Sequence, residues 1–135
     1  MMTITKRFSD YPFAHRQPTH VGHCRFVHGH SWTFELTFAA DSLDGNGFVL
    51  DFGGEEMKRM KSWFTDMFDH TLVLNMNDPE LSRFQALHSA GLCVLHAVPN
   101  CGAEGIAQLI RAAVSEKVLH AIVTRRVQVI RITVY

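Results

Sequence analysis

From His30 to Ala39 the chain alternates, with Trp32, Phe34, Leu36 and Phe38 apolar and Ser31, Thr33, Glu35 and Thr37 polar. Successive side chains of a strand point to opposite faces, so this two-residue period describes a strand with one face against a core. The end of the chain repeats it: between Val127 and Tyr135, Ile130, Ile132 and Val134 alternate with Arg131 and Thr133. After the first of these strands, Asp44, Gly45, Asn46 and Gly47 tolerate positive φ, which predicts a tight turn and a hairpin returning through Phe48, Val49 and Leu50.

Two segments between the strands carry the helical period instead. Beyond Asp51, an expected N-cap, Met57, Met60, Phe64 and Met67 recur among lysines and acids, and the helix they define ends near Phe68. A second helix is predicted from about Ala103 to Val118, with Ile106, Leu109, Ile110, Ala113 and Val114 on one side. Glu104 stands near its positive end and Lys117 near its negative end. Strands first, helices in the middle and a strand last read as an α+β fold, two helices packed on one face of an antiparallel sheet.

The 135 residues suit a single domain over 1–135, and no repeat, linker or low-complexity run divides them. Thirteen basic and thirteen acidic side chains leave no uniform field to attract nucleic acid or an anionic membrane. The opening MMTITKRFSD has no apolar run behind its basic start, and nothing approaches the roughly 20 apolar residues of a membrane span. A soluble, cytoplasmic protein acting on a small ligand is expected. Three cysteines, Cys24, Cys93 and Cys101, have no regular spacing and read as free thiols in a reducing compartment.

Histidine is the oddity of the composition. Of nine, five fall within the sixteen positions from 15 to 30: His15, His20, His23, His28 and His30. On a strand, His28 and His30 project from one face about 6–7 Å apart at their α-carbons, close enough to chelate one ion. A catalytic zinc site takes three protein ligands and leaves a position open, and His15 is the candidate for the third. Three imidazoles also accept iron, nickel or copper, and a lone His-x-His, taken without the cluster, reads more simply as a pair with ordinary hydrogen bonds.

Cys24 precedes His28 by four positions and Arg25 by one. A nearby cation and metal favour the reactive thiolate, although a small cysteine also serves as packing. Asp69 and His70 follow the first helix, where the dipole favours positive charge and the carboxylate can orient the ring for acid or base work. The same step also reads as a helix-end arrangement.

Taken in order, FAHRQ, CRFVHGHSW, GFVLDF, FDHTLVLN and PNCGAEGIAQLI resemble the 6-pyruvoyl-tetrahydropterin synthase and 6-carboxy-tetrahydropterin synthase family along nearly the whole chain. The resemblance implies a tunnel-type fold, the T-fold, in which subunits join their sheets into a barrel. It implies a homo-oligomer, commonly a hexamer made from two trimers, with active sites between subunits. It further implies a pterin triphosphate substrate, 7,8-dihydroneopterin triphosphate, and zinc held by His15, His28 and His30. Cys24 would be the base that takes the side-chain proton, and His70, oriented by Asp69, would deliver or relay protons as triphosphate leaves. Glu104 matches a substrate-binding position, but Gly102 and Ala103 stand where the family usually has hydroxyl residues.

The family anchors the pterin ring with a glutamate in a Val-x-Val-Tyr-Glu context, and the sequence reaches Tyr135 at the threshold of that position. The expectation is that the glutamate and a last strand follow. The reading is a zinc-dependent lyase forming 6-carboxy-tetrahydropterin, a step toward queuosine, with release of triphosphate and acetaldehyde. The alternatives are the pyruvoyl-forming synthase and a non-catalytic homologue that binds metal and pterin. Lys6, Arg16 and Arg25 are the basic residues near the site in sequence, and none is singled out for the triphosphate.

Overall fold

The alternating segment forms the middle of a sheet. In the computed structural model, which describes residues 1–119 and 125–135, strand β2 spans His28–Ala40 and buries Trp32, Phe34, Leu36, Phe38 and Ala40 on one face. Its partner on one edge is β1, Met2–His15, antiparallel from Met2 opposite Ala40 to His15 opposite His28. On the other edge lies β5, Val127–Val134, also antiparallel. With both edges of β2 taken, the expected hairpin through Phe48 to Leu50 does not form. Asp44 to Gly47 do turn, with Asp44 Oδ1 accepting from Asn46 and Phe48 N–H at 2.9 Å each and Gly47 at φ +82°. Val49 and Leu50 then enter the core as loop residues.

Helix α1, Glu55–Phe68, buries Met57, Met60 and Phe64 as expected, while Phe68 completes the buried set and Met67 packs only partly buried against it. Its N-cap is Gly54 rather than Asp51, whose carboxylate closes a turn before the helix by accepting from Gly53 N–H at 2.8 Å. The chain then enters the sheet as β3, Thr71–Asn75, passes through α2, Leu81–Ser89, and returns as β4, Leu95–Val98. β3 pairs in parallel with β1 and β4 in parallel with β3, and the sheet order is β4-β3-β1-β2-β5. The sheet is therefore mixed, not antiparallel throughout: the crossover through α2 returns β4 in the direction of β3, and the passage through α1 carries the chain from β2 to the far edge of β1. The expected helix pair is likewise corrected to three: α2 is only nine residues long and buries none of them, so its Leu81, Phe84 and Leu87 mark no core-facing helix.

Helix α3, Ala103–Ala113, buries Ile106, Ile110 and Ala113 and widens into a π turn at Val114–Val118, so the predicted segment is helical to its end but not uniformly α. Gly105 is required in its first turn, because a β-carbon there would collide with the Asn100 carbonyl. The loop before α3 thus lies directly on the helix. α1 and α3 share one core with the sheet, in which Phe64 stacks on Phe8 at 4.4 Å and Phe68 meets Phe13 at 5.0 Å. Among the described residues no helix is long and apolar enough to cross a membrane.

Two bulges change which residues face that core. In β5, Val129 opposes Phe38 and Arg131 opposes Thr37, leaving Ile130 as the extra residue, 41% exposed. The inward set is Val127 and Val129, then Ile132 and Val134, not the unbroken series through Ile130. In β1, Phe8 opposes Phe34 and Tyr11 opposes Trp32, so Ser9 and Asp10 share one place, with Asp10 left-handed at φ +65°. One extra residue shifts the two-residue period by one step, so Phe8 before it and Tyr11, Phe13 and His15 after it all face the same way.

Candidate metal centre

That parity carries the core face of the sheet past the end of the helices and into a histidine cluster. His15 is the last residue of β1 and His28 and His30 are the first ligand-bearing residues of β2, with Phe13 opposite His30 and His15 opposite His28. One ligand atom from each imidazole lies within 4.8 Å of the others. Ring centroids are 4.7 Å apart for His15 and His28, 4.9 Å for His28 and His30, and 5.4 Å for His15 and His30. Trp32 forms the floor, its ring edge-on to His15 at 5.1 Å and His30 at 5.3 Å.

Hydrogen bonds orient two of the rings. His15 Nδ1 meets the Cys101 carbonyl at 2.7 Å and His28 Nδ1 meets the Phe26 carbonyl at 2.8 Å. A carbonyl only accepts, so each Nδ1 carries the proton and each Nε2 keeps its lone pair for a metal. Burial holds the His15 imidazole below its ordinary pKa, the Cys101 carbonyl opposes this, and His28 and His30 add to the lowering. A neutral ring is the form that ligates. A tetrahedral ion with bonds of about 2.0–2.1 Å needs nitrogens about 3.4 Å apart, within reach of small side-chain rotations here. The donor set therefore fits a zinc ion with three protein ligands.

Cys24 sits in a single 3-10 turn, His23–Arg25, in the loop between β1 and β2. The Gln17 N–H donates to the Cys24 carbonyl at 2.7 Å, which ties this turn to the chain just after His15. The thiol is free and half-buried, and it lies outside the ligand group. Arg25, expected as its cation, instead donates to the Val21 and Gly22 carbonyls at 3.2 and 3.0 Å and covers the Phe26 ring. Arg16 is also committed, gripping Asp78 through two hydrogen bonds of 2.7 and 2.6 Å.

Asp69 and His70 stand apart from the cluster. Asp69 caps α1, its Oδ1 2.6 Å from His70 Nδ1, and His70 is left-handed at φ +58° with its N–H on the Pro12 carbonyl at 2.8 Å. The His70 side chain is 84% exposed. Among the described residues, no hydrogen bond or ring contact joins this pair to Cys24 or to the three histidines. Glu104 lies exposed in the first turn of α3. The residue that sequence reasoning missed is Cys101, taken there only as a free thiol. Its contribution is a backbone carbonyl, which no side-chain pattern announces. A cavity of 480 Å³ lies at the other end of β1, between Met2, Ile4, Phe48 and Phe52. Its apolar lining offers no ligating cluster.

Known proteins share both the pattern and the architecture. A 6-carboxy-5,6,7,8-tetrahydropterin synthase of Rickettsia typhi is 36% identical over 108 residues, covering 79% of this chain and 75% of that one. Its counterpart in Bacillus subtilis is 39% identical over 57 residues, 42% of this chain and 36% of that one. Among solved structures, an uncharacterized protein of Wolinella succinogenes superposes with a TM-score of 0.80 at 17% identity, covering 99% and 92% of the two chains. The 6-pyruvoyl tetrahydropterin synthase of Plasmodium vivax gives 0.64 at 16% identity, covering 100% and 98%. At such identities these two likenesses speak for the fold alone. The family model described as 6-pyruvoyl tetrahydropterin synthase matches residues 3–135, which include every histidine of the cluster, and the chain belongs to that family.

Proposed function

We propose that this chain is a zinc-dependent lyase that converts 7,8-dihydroneopterin triphosphate to 6-carboxy-tetrahydropterin, releasing triphosphate and acetaldehyde. The observation that carries this reading is the convergence of His15, His28 and His30, with two rings already turned to offer Nε2. The choice of product is supported by the 36% identity to a protein of that name. A zinc ion held by His15, His28 and His30 would supply Lewis acidity toward the hydroxyls of the substrate side chain, making the neighbouring protons more acidic. Cys24 removes such a proton, from a turn tied to the chain beside His15 but outside the ligand set. Asp69 holds the His70 ring through Nδ1, leaving Nε2 to deliver or relay protons as triphosphate leaves. Glu104 is assigned to substrate binding at the start of α3.

The 84% exposure of the His70 side chain, with no hydrogen bond from it to the histidine cluster among the described residues, supports an assembly in which sites are completed between copies. We assign the family's T-fold barrel, a hexamer of two trimers built from one domain per chain, working in the cytoplasm. The test is product analysis by mass spectrometry of the zinc-loaded protein given 7,8-dihydroneopterin triphosphate. Acetaldehyde and the 6-carboxy product are expected. A pyruvoyl product without acetaldehyde would move the chain to the other activity of its family, and bound zinc with no triphosphate release would make it a binding homologue.

A further inference from the structure

The Cys101 carbonyl that orients His15 belongs to a loop, residues 99–102, 86 positions away in sequence. A ligand ring is held only as firmly as the carbonyl it points to, so what fixes this peptide matters to the metal. Its thiol donates to the Arg16 carbonyl at 3.2 Å, which is a weak bond. Its N–H donates to the side-chain Oδ1 of Asn75 at 2.8 Å. Asn75 is the last residue of β3, a strand of the same sheet whose neighbour β1 carries His15. The two ends of the Cys101 residue therefore connect a sheet side chain on one side to the metal ligand on the other.

The surroundings brace Asn75 in turn. Its own carbonyl accepts from Asp78 N–H at 3.0 Å, and the buried Asp78 carboxylate grips Arg16, the residue after His15. The end of β1, the end of β3 and the loop before α3 are thereby closed into one ring of hydrogen bonds around the buried side of His15. Neither Asn75 nor Cys101 bears a ligand atom of the cluster.

We infer that Asn75 is a positioning residue of the metal centre, anchoring the Cys101 backbone at its N–H so that the carbonyl on the other side of the residue keeps the proton of His15 on Nδ1 and turns Nε2 toward the ion. This rests on the reading of the three histidines as a metal site. The Cys101 carbonyl is the partner one bond removed from the ligand, a kind whose loss typically lowers metal affinity by about 10- to 100-fold, and Asn75 acts through it. Asn75→Ala removes the acceptor and leaves room for water at the Cys101 N–H. Asn75→Asp keeps an acceptor oxygen in the same place.

Zinc affinity is measured by competition with a chromogenic chelator, and the His15 tautomer by nitrogen-15 NMR of the metal-free protein at about pH 8, where imidazole is neutral. Asn75→Ala should bind zinc more weakly than the unaltered chain, by up to the roughly 100-fold that loss of the Cys101 carbonyl itself would cost, with His15 losing its fixed Nδ1–H form. Asn75→Asp should restore both. A folded Asn75→Ala variant with an unchanged His15 tautomer overturns the inference whatever its zinc affinity. If Asn75→Ala does not fold, Asn75→Asp decides by the same tautomer measurement: the Nδ1–H form supports the role and its loss overturns it. An unaltered chain that binds no zinc sinks the metal reading alone, since the tautomer comparison still judges Asn75.

Discussion

His15 and His28 stand directly opposite one another across the antiparallel β1–β2 pair, ring centroids 4.7 Å apart, each with its Nδ1 on a backbone carbonyl. Strand pairing sets their separation and the carbonyls set their rotation, so the site is organised before any ion arrives. His30 shares the face through the two-residue period of β2 but has no such carbonyl among the described residues. Preorganisation thus rests on the first two rings.

His15→Ala should lower zinc affinity by more than the roughly 100-fold that an outer partner can account for, because a ligand itself is lost. Metal analysis after dialysis against a weak chelator checks this. Undiminished zinc in the variant would remove His15 from the site.

Cys24→Ala should leave zinc content as it is, since the thiol lies outside the ligand group. Triphosphate release should fall by about 100- to 10,000-fold, the usual loss when a positioned base is removed. Release at the original rate would end the proposed role of the thiol.

The left-handed backbone of His70, φ +58°, makes a prediction about stability separate from chemistry. A residue with a β-carbon in that region is strained by roughly 1–2 kcal/mol, which glycine avoids, although glycine also loses more chain entropy on folding. His70→Gly should therefore match or exceed His70→Ala in unfolding free energy, by up to about 1 kcal/mol, in urea titrations. Both lack the imidazole and should be equally inactive. A clearly more stable alanine variant would contradict the backbone described here.

Asp78 predicts how acid acts on the fold. The Arg16 guanidinium, opposed by burial, holds the Asp78 carboxyl below its ordinary value of 3.8. A depressed carboxyl contributes stability that is complete above the unfolded value and is lost as pH falls through the folded one. Between neutral pH and about 5 this pair should add no slope, and its share of the acid loss should begin below about 4. Asp78→Asn strands a largely buried Arg16, so thermal unfolding at neutral pH should show a loss of about 3 kcal/mol. The variant's acid limb should be shallower, and an identical limb would mean that the pair is not what titrates.

The alternation of Trp32 to Phe38 and the helical spacing from Met57 to Phe64 were legible in the residue order because each period reports which side of an element meets the core. The His-x-His step was legible for the same reason, as was the order of motifs that marks the family. Helix α2 was invisible because it buries nothing, and the parallel placement of β3 and β4 was invisible because crossover direction leaves no periodic trace. Only the tertiary structure decided that His15 joins His28 and His30. That depends on one extra residue at Ser9 and Asp10 shifting the parity of β1, and on a Cys101 carbonyl brought across 86 positions to turn the ring. Residue order encodes side chains and their local period, whereas register, bulges and the backbone groups that orient a ligand are settled by how distant segments pack.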